Sequence, residues 1–535
     1  MAELNEQIRK DDTDVVSHHI FMYPFRWDFL PKQKNYHDLN FDERTQISKW
    51  DEFLENALWQ KQDFIIGERN TSKDYNEFVF FYEHVKKTLY NYCSVEDTEN
   101  RMHFYNYTFD KSRAFYKIKI LPDKKYPSGS EYTLSIEDIN LHIFDTGIGI
   151  LTFNLLNFEK STNKTDILRI NDSGRRIYPQ FLGANLVLDT KKSMLADSIT
   201  VDPVNGKGPF IEDFSFFSDV NKIKNNCTIQ LPSFIAKIFD NKGITFTRNI
   251  ELDSIIIKNI MDDRMFSICW YGNNKLSEEI MSKDSEYPFR KSPWWYCFIF
   301  GDRNPDFPTC QNNEELEKYI KNHTYPRWSG IGTFYGVTAE TFVCLSEEKS
   351  GAKGPPIWDH LTTIYYQMSI LCLLQQASIL RFSGEASIIG GKLKNKSKEN
   401  IVEFANLYNN YIEFINKFLF KKVTAQTQGS ELYDMLQKFM YIDAAAMDLR
   451  HDMQELHNYT NIEQQKSATI ESNKLSWLAT IFLPASLVLS VFGFSNFPKF
   501  DFEHGTFWVW DVGLPIILSV LASACIYFGI KKYRK

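Results

Sequence analysis

Two apolar runs near the C-terminus constrain this chain more than any other feature. Residues 475–492 (LSWLATIFLPASLVLSVF) carry no charge, and their roughly 18 residues reach the lower length at which a helix crosses hydrocarbon. Residues 512–530 form a second run of about 19. Trp508 and Trp510 precede it, and Lys531, Lys532, Arg534 and Lys535 follow. Two spans return the chain to its starting side, and the positive-inside rule assigns that side to the cytoplasm. The expectation is a multi-pass protein of the inner (cytoplasmic) membrane with both termini cytosolic. Residues 493–511 would be a short extracytoplasmic loop and 531–535 a basic cytosolic tail.

Along and flanking the first run Ser472, Ser476, Ala479, Leu483, Ser486, Ser490 and Gly493 recur at steps of four and three, with Ser495 just beyond. Such spacing puts them on one helix face. The face can line a pore, or it can serve close packing by small residues. Two helices cannot enclose a pore, so the pore reading demands a homo-oligomer.

Upstream, Leu432, Met435, Phe439, Ile442, Ala446, Leu449, Met453 and Leu456 alternate at steps of three and four, the signature of a helix packed lengthwise. Gly429-Ser430 predicts its start, and 430–474 reads as a stalk. Continued to Phe492, that helix would be roughly 95 Å long.

This layout resembles the CorA superfamily of divalent-cation channels, and Ala479-Thr480-Ile481-Phe482-Leu483-Pro484 is similar to the start of its pore helix. The family's Gly-Met-Asn signature is replaced here by Gly493-Phe494-Ser495, with Asn496 next. The resemblance implies a pentamer around the small-residue face, with a divalent cation such as magnesium as a possible permeant ion. The large N-terminal region is similar to the CorA-like effectors of type III CRISPR systems. That resemblance implies a nucleotide second messenger, an adenylate conjugate of S-adenosylmethionine, acting on the cytosolic domain in antiviral defence.

Residues 1–355 carry strand signals, among them 115–121 and 132–136. Residues 141–156 read as two strands turning at Asp145-Thr146-Gly147-Ile148-Gly149, where glycine supplies positive φ. After the breaker cluster 349–356 the pattern becomes helical, so 356–429 reads as a helical subdomain packed beside the stalk. The expected fold class is therefore an α+β, α/β/α-like sensing domain, a helical stalk and two transmembrane helices, assembled as a membrane homo-oligomer.

The formal net charge of −7 gives no basic field that would advertise nucleic acid, and the mean hydropathy of −0.36 leaves most of the chain polar. Eight cysteines form no CxxC pair, and no HExxH, Walker A loop or GxSxG elbow occurs. An enzyme is not expected from these motifs. His18-His19 read as surface or packing residues.

Ligand-binding candidates are Arg169, Asn171, Arg175, Arg176 and Tyr178, where a glycine turn presents consecutive arginines beside an aromatic ring. That chemistry clamps phosphate and stacks a base. Arg327 and Trp328 repeat the combination. The alternatives carried are a constitutive magnesium or divalent-cation transporter and a membrane-tethered sensor without a pore.

Overall fold

The computed structural model describes residues 15–32, 34, 38–55, 58–62, 72–90, 101–122, 129–178, 195–204, 206, 208–214, 231–239, 244–245, 253–261, 263–283, 286–348, 357–394, 397–496, 517–518, 520–521 and 524–525. The chain divides into two compact units, Met1–Asp452 and Met453–Lys535.

The first unit is built on one mixed sheet with fourteen strands among the described residues. In chain order these are β1 (Ser17–Leu30), β2 (Trp59–Lys61), β3 (Met102–Tyr107), β4 (Phe115–Ile120), β5 (Ser130–Phe144), β6 (Ile148–Asn157) and β7 (Ser198–Asp202). There follow β8 (Phe210–Asp213), β9 (Ile244–Thr245), β10 (Ser254–Asn259), β11 (Phe266–Gly272), β12 (Thr324–Tyr325), β13 (Phe334–Val337) and β14 (Thr341–Ser346). The main path runs β12-β13-β14-β11-β1-β6-β5-β4-β7-β8.

β1 lies at the centre and is buried along almost its whole length. One edge pairs with β6 from Ser17 to Arg26. The other pairs with β11 as far as Met22 and with β10 from Phe25 onward. Pro24 stands where that edge changes partner. Proline has no N–H to give a ladder, so the change of partner is where the strand tolerates it. β5 forks in the same way, pairing with β4 through its first half and with β3 through its last five residues.

Side chains alternate between the faces of a strand, and β1 uses both. His19 bonds to Asn171 of the helix 164–174, whereas His18 receives the indole N–H of Trp358 at 2.7 Å. The odd-numbered Phe21, Tyr23, Phe25 and Trp27 enter the main apolar core with Ile170 and Phe234.

Seven helices position the sites discussed below. They are α1 (Phe41–Arg44), α2 (Lys164–Gly174), α3 (Pro293–Phe300), α4 (Ile364–Leu393), α5 (Lys398–Lys417), α6 (Thr427–Phe439) and α7 (Ile442–Asn496). Capping boxes start α1 at Asn40 with Glu43 and α2 at Asn163 with Asp166, each satisfying backbone donors that a helix start leaves open. α4 runs through Gly390-Gly391 without a break. Its packing against β1, β6 and α5 outweighs the low helix propensity of the two glycines. The predicted helical subdomain thus includes a layer on the sheet.

The stalk is not one helix from Ser430. α6 ends at Phe439, and Tyr441 lies in the left-handed region at φ 55° before α7 begins. That conformation breaks the i to i−4 ladder and separates the two helices.

Among the described residues no helix is long and apolar enough to cross a membrane. A span needs about twenty consecutive, predominantly apolar residues. The described side chains from Leu475 to Ser490 are interrupted by Ser476, Thr480, Ser486 and Ser490. Thr480 and Ser490 spend their hydroxyls on the carbonyls four residues back. Of the expected second span, only 517–518, 520–521 and 524–525 are described, all helical. This overturns the expected fold class with two transmembrane helices, and with it the assignments as a membrane protein, an ion channel and a multi-pass inner-membrane protein. The architecture is instead a large mixed sheet with helices and a C-terminal helical region. Of the expected loop 493–511, residues 493–496 continue α7 as helix and 497–511 lie outside the described residues, as does the tail at 531–535.

Candidate ligand site

The predicted arginine segment falls at the C-terminal end of α2. Arg169 and Asn171 lie in the helix, Arg175 caps it, and Arg176 makes an isolated bridge to Arg264. Both consecutive guanidiniums are buried and already hold carboxylates. Arg176 pairs with Asp172 at 3.0 Å and Asp263 at 3.2 Å. Arg303 reaches the other oxygen of Asp172 at 2.6 Å. Burial by itself would raise the Asp172 carboxyl, but Arg303, Arg176 and Arg175 overcome it and hold the group below its ordinary value.

Arg175 is 1% exposed. It packs where Gly301 ends α3 at φ 65°, and a Cβ on Gly301 would come within 2.4 Å of Arg175 Nη2. Glycine is required there both for the left-handed cap and for the approach of the guanidinium. Nη2 lies 3.3 Å from Glu340 Oε2, and among the described residues the Nε–H has no hydrogen-bond partner. Burial pulls the Arg175 guanidinium down from its usual range, against Glu340 and Asp172.

Glu340, in the turn between β13 and β14, gives its second oxygen to Arg264 Nη2 at 2.7 Å. Its side chain is about one-third exposed, and Arg264 is one-fifth exposed. The network therefore has a closed interior at Arg175 and Arg176 and an open rim at Glu340, Arg264 and Arg303.

Tyr178 packs against the main apolar core and accepts a hydrogen bond from Asn259 at 3.0 Å. Arg327 and Trp328 are elsewhere and face α6, where Arg327 pairs with Glu431 at 3.1 Å and the Trp328 indole donates to Gln428. Ser472, Ser476, Ala479, Leu483, Ser486 and Ser490 are exposed on α7. Gly493 and Ser495 belong to the same helix, and their side chains lie outside the described residues. Among the described residues no group of three or more His, Cys, Asp or Glu is placed to hold a metal ion.

Sequence reasoning missed a second constellation, because its members come from distant positions. Ser17 Oγ lies 2.8 Å from His19 Nε2, His19 Nδ1 lies 2.7 Å from Asn171 Oδ1, and Cys269 Sγ is 3.5 Å from Nδ1. The order resembles a nucleophile, base and orienting amide. All four residues are buried, however, and burial drives His19 down to about 4 and Cys269 up to about 12. A base needs access and a pKa near the working pH. These groups act as a polar tie between β1, β11 and α2.

The neutral buried state of His19 has a consequence for stability. Between pH 6.5 and about 4 the unfolded chain takes up a proton that the folded ring refuses. The contribution of His19 is therefore complete above pH 6.5 and is lost as pH falls through about 4. Denaturant midpoints measured across this window are expected to fall, and to fall less steeply in His19→Gln. Equal slopes in the two proteins would refute a neutral His19.

The sequence matches no family profile and no curated protein.

Proposed function

We propose that this chain is a ligand-responsive effector whose α/β unit recognises an anionic ligand of the nucleotide class and whose response is carried by a homo-oligomer. The observation that supports it is Glu340, a partly exposed carboxylate clamped between the guanidiniums of Arg175 and Arg264. A carboxylate held by two arginines has the shape and charge of a phosphate oxygen pair. The site reads as a phosphate position filled by the protein's own side chain until a ligand displaces it. The resemblance to CorA-like effectors of type III CRISPR systems supports a nucleotide second messenger as the ligand and a pentamer as the assembly. α7 supports self-association independently, since Leu475, Leu478 and Phe482 follow at steps of three and four and are all more than half exposed.

The test is calorimetric titration of the full chain with linear and cyclic adenylates. Arg264→Gln is expected to weaken binding about tenfold or more, the loss of a charge-assisted contact. Glu340→Gln is expected to tighten it, because the competing charge is gone. Unchanged affinity in both variants would reject this site, and sedimentation with and without ligand reads the assembly.

A further inference from the structure

The carboxylate that fills the proposed phosphate position stands on an anchored turn. Glu340 lies between β13 and β14, and its backbone is held on both sides. Its N–H donates to Thr338 Oγ1 at 3.1 Å, while its carbonyl accepts from the Ser267 N–H of β11 at 3.0 Å and from Arg175 Nη1 at 3.4 Å. Thr338 Oγ1 also accepts the Thr341 N–H at 3.0 Å. The Thr338 N–H closes the turn on the Thr341 carbonyl at 2.9 Å.

The direction of the Thr338 hydroxyl proton follows from its neighbours. The Thr341 hydroxyl donates to the carbonyl of Ile299 in α3, an oxygen that can only accept. Its own oxygen therefore accepts from the Thr338 hydroxyl, at 2.8 Å. A hydroxyl has one donor and two acceptor positions, and Thr338 uses all three. Both threonines are buried, where a polar group left open costs more than it does at the surface. The helix that receives this chain of hydroxyls, α3, is the one whose terminal Gly301 packs on Arg175.

We infer that Thr338 is a positioning residue for an internal competitor: it fixes the Glu340 backbone so that the carboxylate reaches both arginines, and thereby sets how strongly the site resists an anionic ligand. This inference rests on the proposed phosphate site. With the turn anchored, a ligand gains Arg175 and Arg264 by rotation of the Glu340 side chain, which is already about one-third exposed, and the backbone stays in place.

The full chain is titrated with ADP and with inorganic pyrophosphate. Thr338→Val is expected to tighten binding about threefold or more, because a competitor on a loosened turn holds the arginines less well. Thr338→Ser keeps the hydroxyl and is expected to match the unsubstituted protein, and in a Glu340→Gln background Thr338→Val is expected to change nothing. Damage to the fold would weaken binding in both backgrounds, so it cannot imitate this pattern. Glu340→Asp decides the matter if Thr338→Val does not fold, since it leaves the turn intact. On a fixed backbone the shorter carboxylate falls one methylene short of the arginines, and binding tightens toward that of Glu340→Gln. Glu340→Asp with unchanged affinity, or a folded Thr338→Val that binds no more tightly while Glu340→Gln does, would overturn the positioning role alone. No binding of either probe to any of these proteins would remove the phosphate site itself.

Discussion

Asp28→Ala is expected to destabilise the first unit by about 3–5 kcal/mol, the cost of leaving the buried Arg381 guanidinium without its direct counter-ion. Asp28 is fully buried on β1 and receives Arg381 at 2.7 Å, Arg26 at 2.9 Å and Arg44 at 3.4 Å. Glu385 on α4 takes Arg26 and Arg44 from the other side, at 2.6 and 2.8 Å. Removing Asp28 strands Arg381, which has no exposed surface and whose guanidinium burial already pulls down to about 10. Burial would raise the Asp28 carboxyl, but Arg381, Arg26 and Arg44 together hold it below its ordinary 3.8. Its stabilising share is therefore complete above that value and is lost as pH falls further. Denaturant unfolding followed by tryptophan fluorescence is a direct measure, since Trp27 is the neighbouring residue and its carbonyl accepts from Arg381. A loss below about 1 kcal/mol would place the network among weak surface pairs.

Gly147→Ala is expected to cost about 3 kcal/mol or more, for two reasons that meet at one atom. Gly147 sits at φ 73°, where an L-residue pays roughly 1–2 kcal/mol. A Cβ there would stand 2.0 Å from Arg381 Nη1 and 2.4 Å from its Cζ. The end of a free arginine would swing aside at little cost. This one cannot, because Nη1 donates to the carbonyls of Trp27 and of Gly147 itself while Nη2 holds Asp28. The methyl group must break the network that Asp28→Ala also breaks. The double variant is accordingly expected to lose less than the sum of the two single losses, since both act through Arg381. Strict additivity in a double-mutant cycle would show that the turn and the ion network are independent.

These two positions also show how much was legible before the fold was known. The glycine turn at 145–149 follows from local chemistry: two β-rich segments separated by Asp-Thr-Gly can close only through a residue that accepts positive φ. What that turn rests on was not legible. Arg381 lies in an apolar helical stretch, 353 residues from its partner Asp28, and no periodicity connects them. Arg175-Arg176 likewise stood out as a pair, yet their carboxylates come from Asp172 four residues earlier, Asp263, and Glu340. Only the first of these is within reach of a local pattern. The histidine pair divides between the two faces of β1 because successive strand residues point opposite ways, and that required knowing the segment was a central strand. The apolar C-terminal runs were the strongest linear signal, yet no helix among the described residues meets the requirement for a membrane span.

By itself, the order of residues determined what acts within about one helical turn or one strand pair. Such features include the turn at Gly147, the helical character of 356–492 and the consecutive arginines at 175–176. The tertiary structure alone decided which face each helix buries, where the long helical region breaks at Tyr441, and which distant charges meet at Arg381 and at Glu340. Local preferences arise from sterics and hydrogen bonds between near neighbours. Charge pairing across hundreds of residues exists only once the sheet has brought β1, β6 and the β13–β14 turn to their helices.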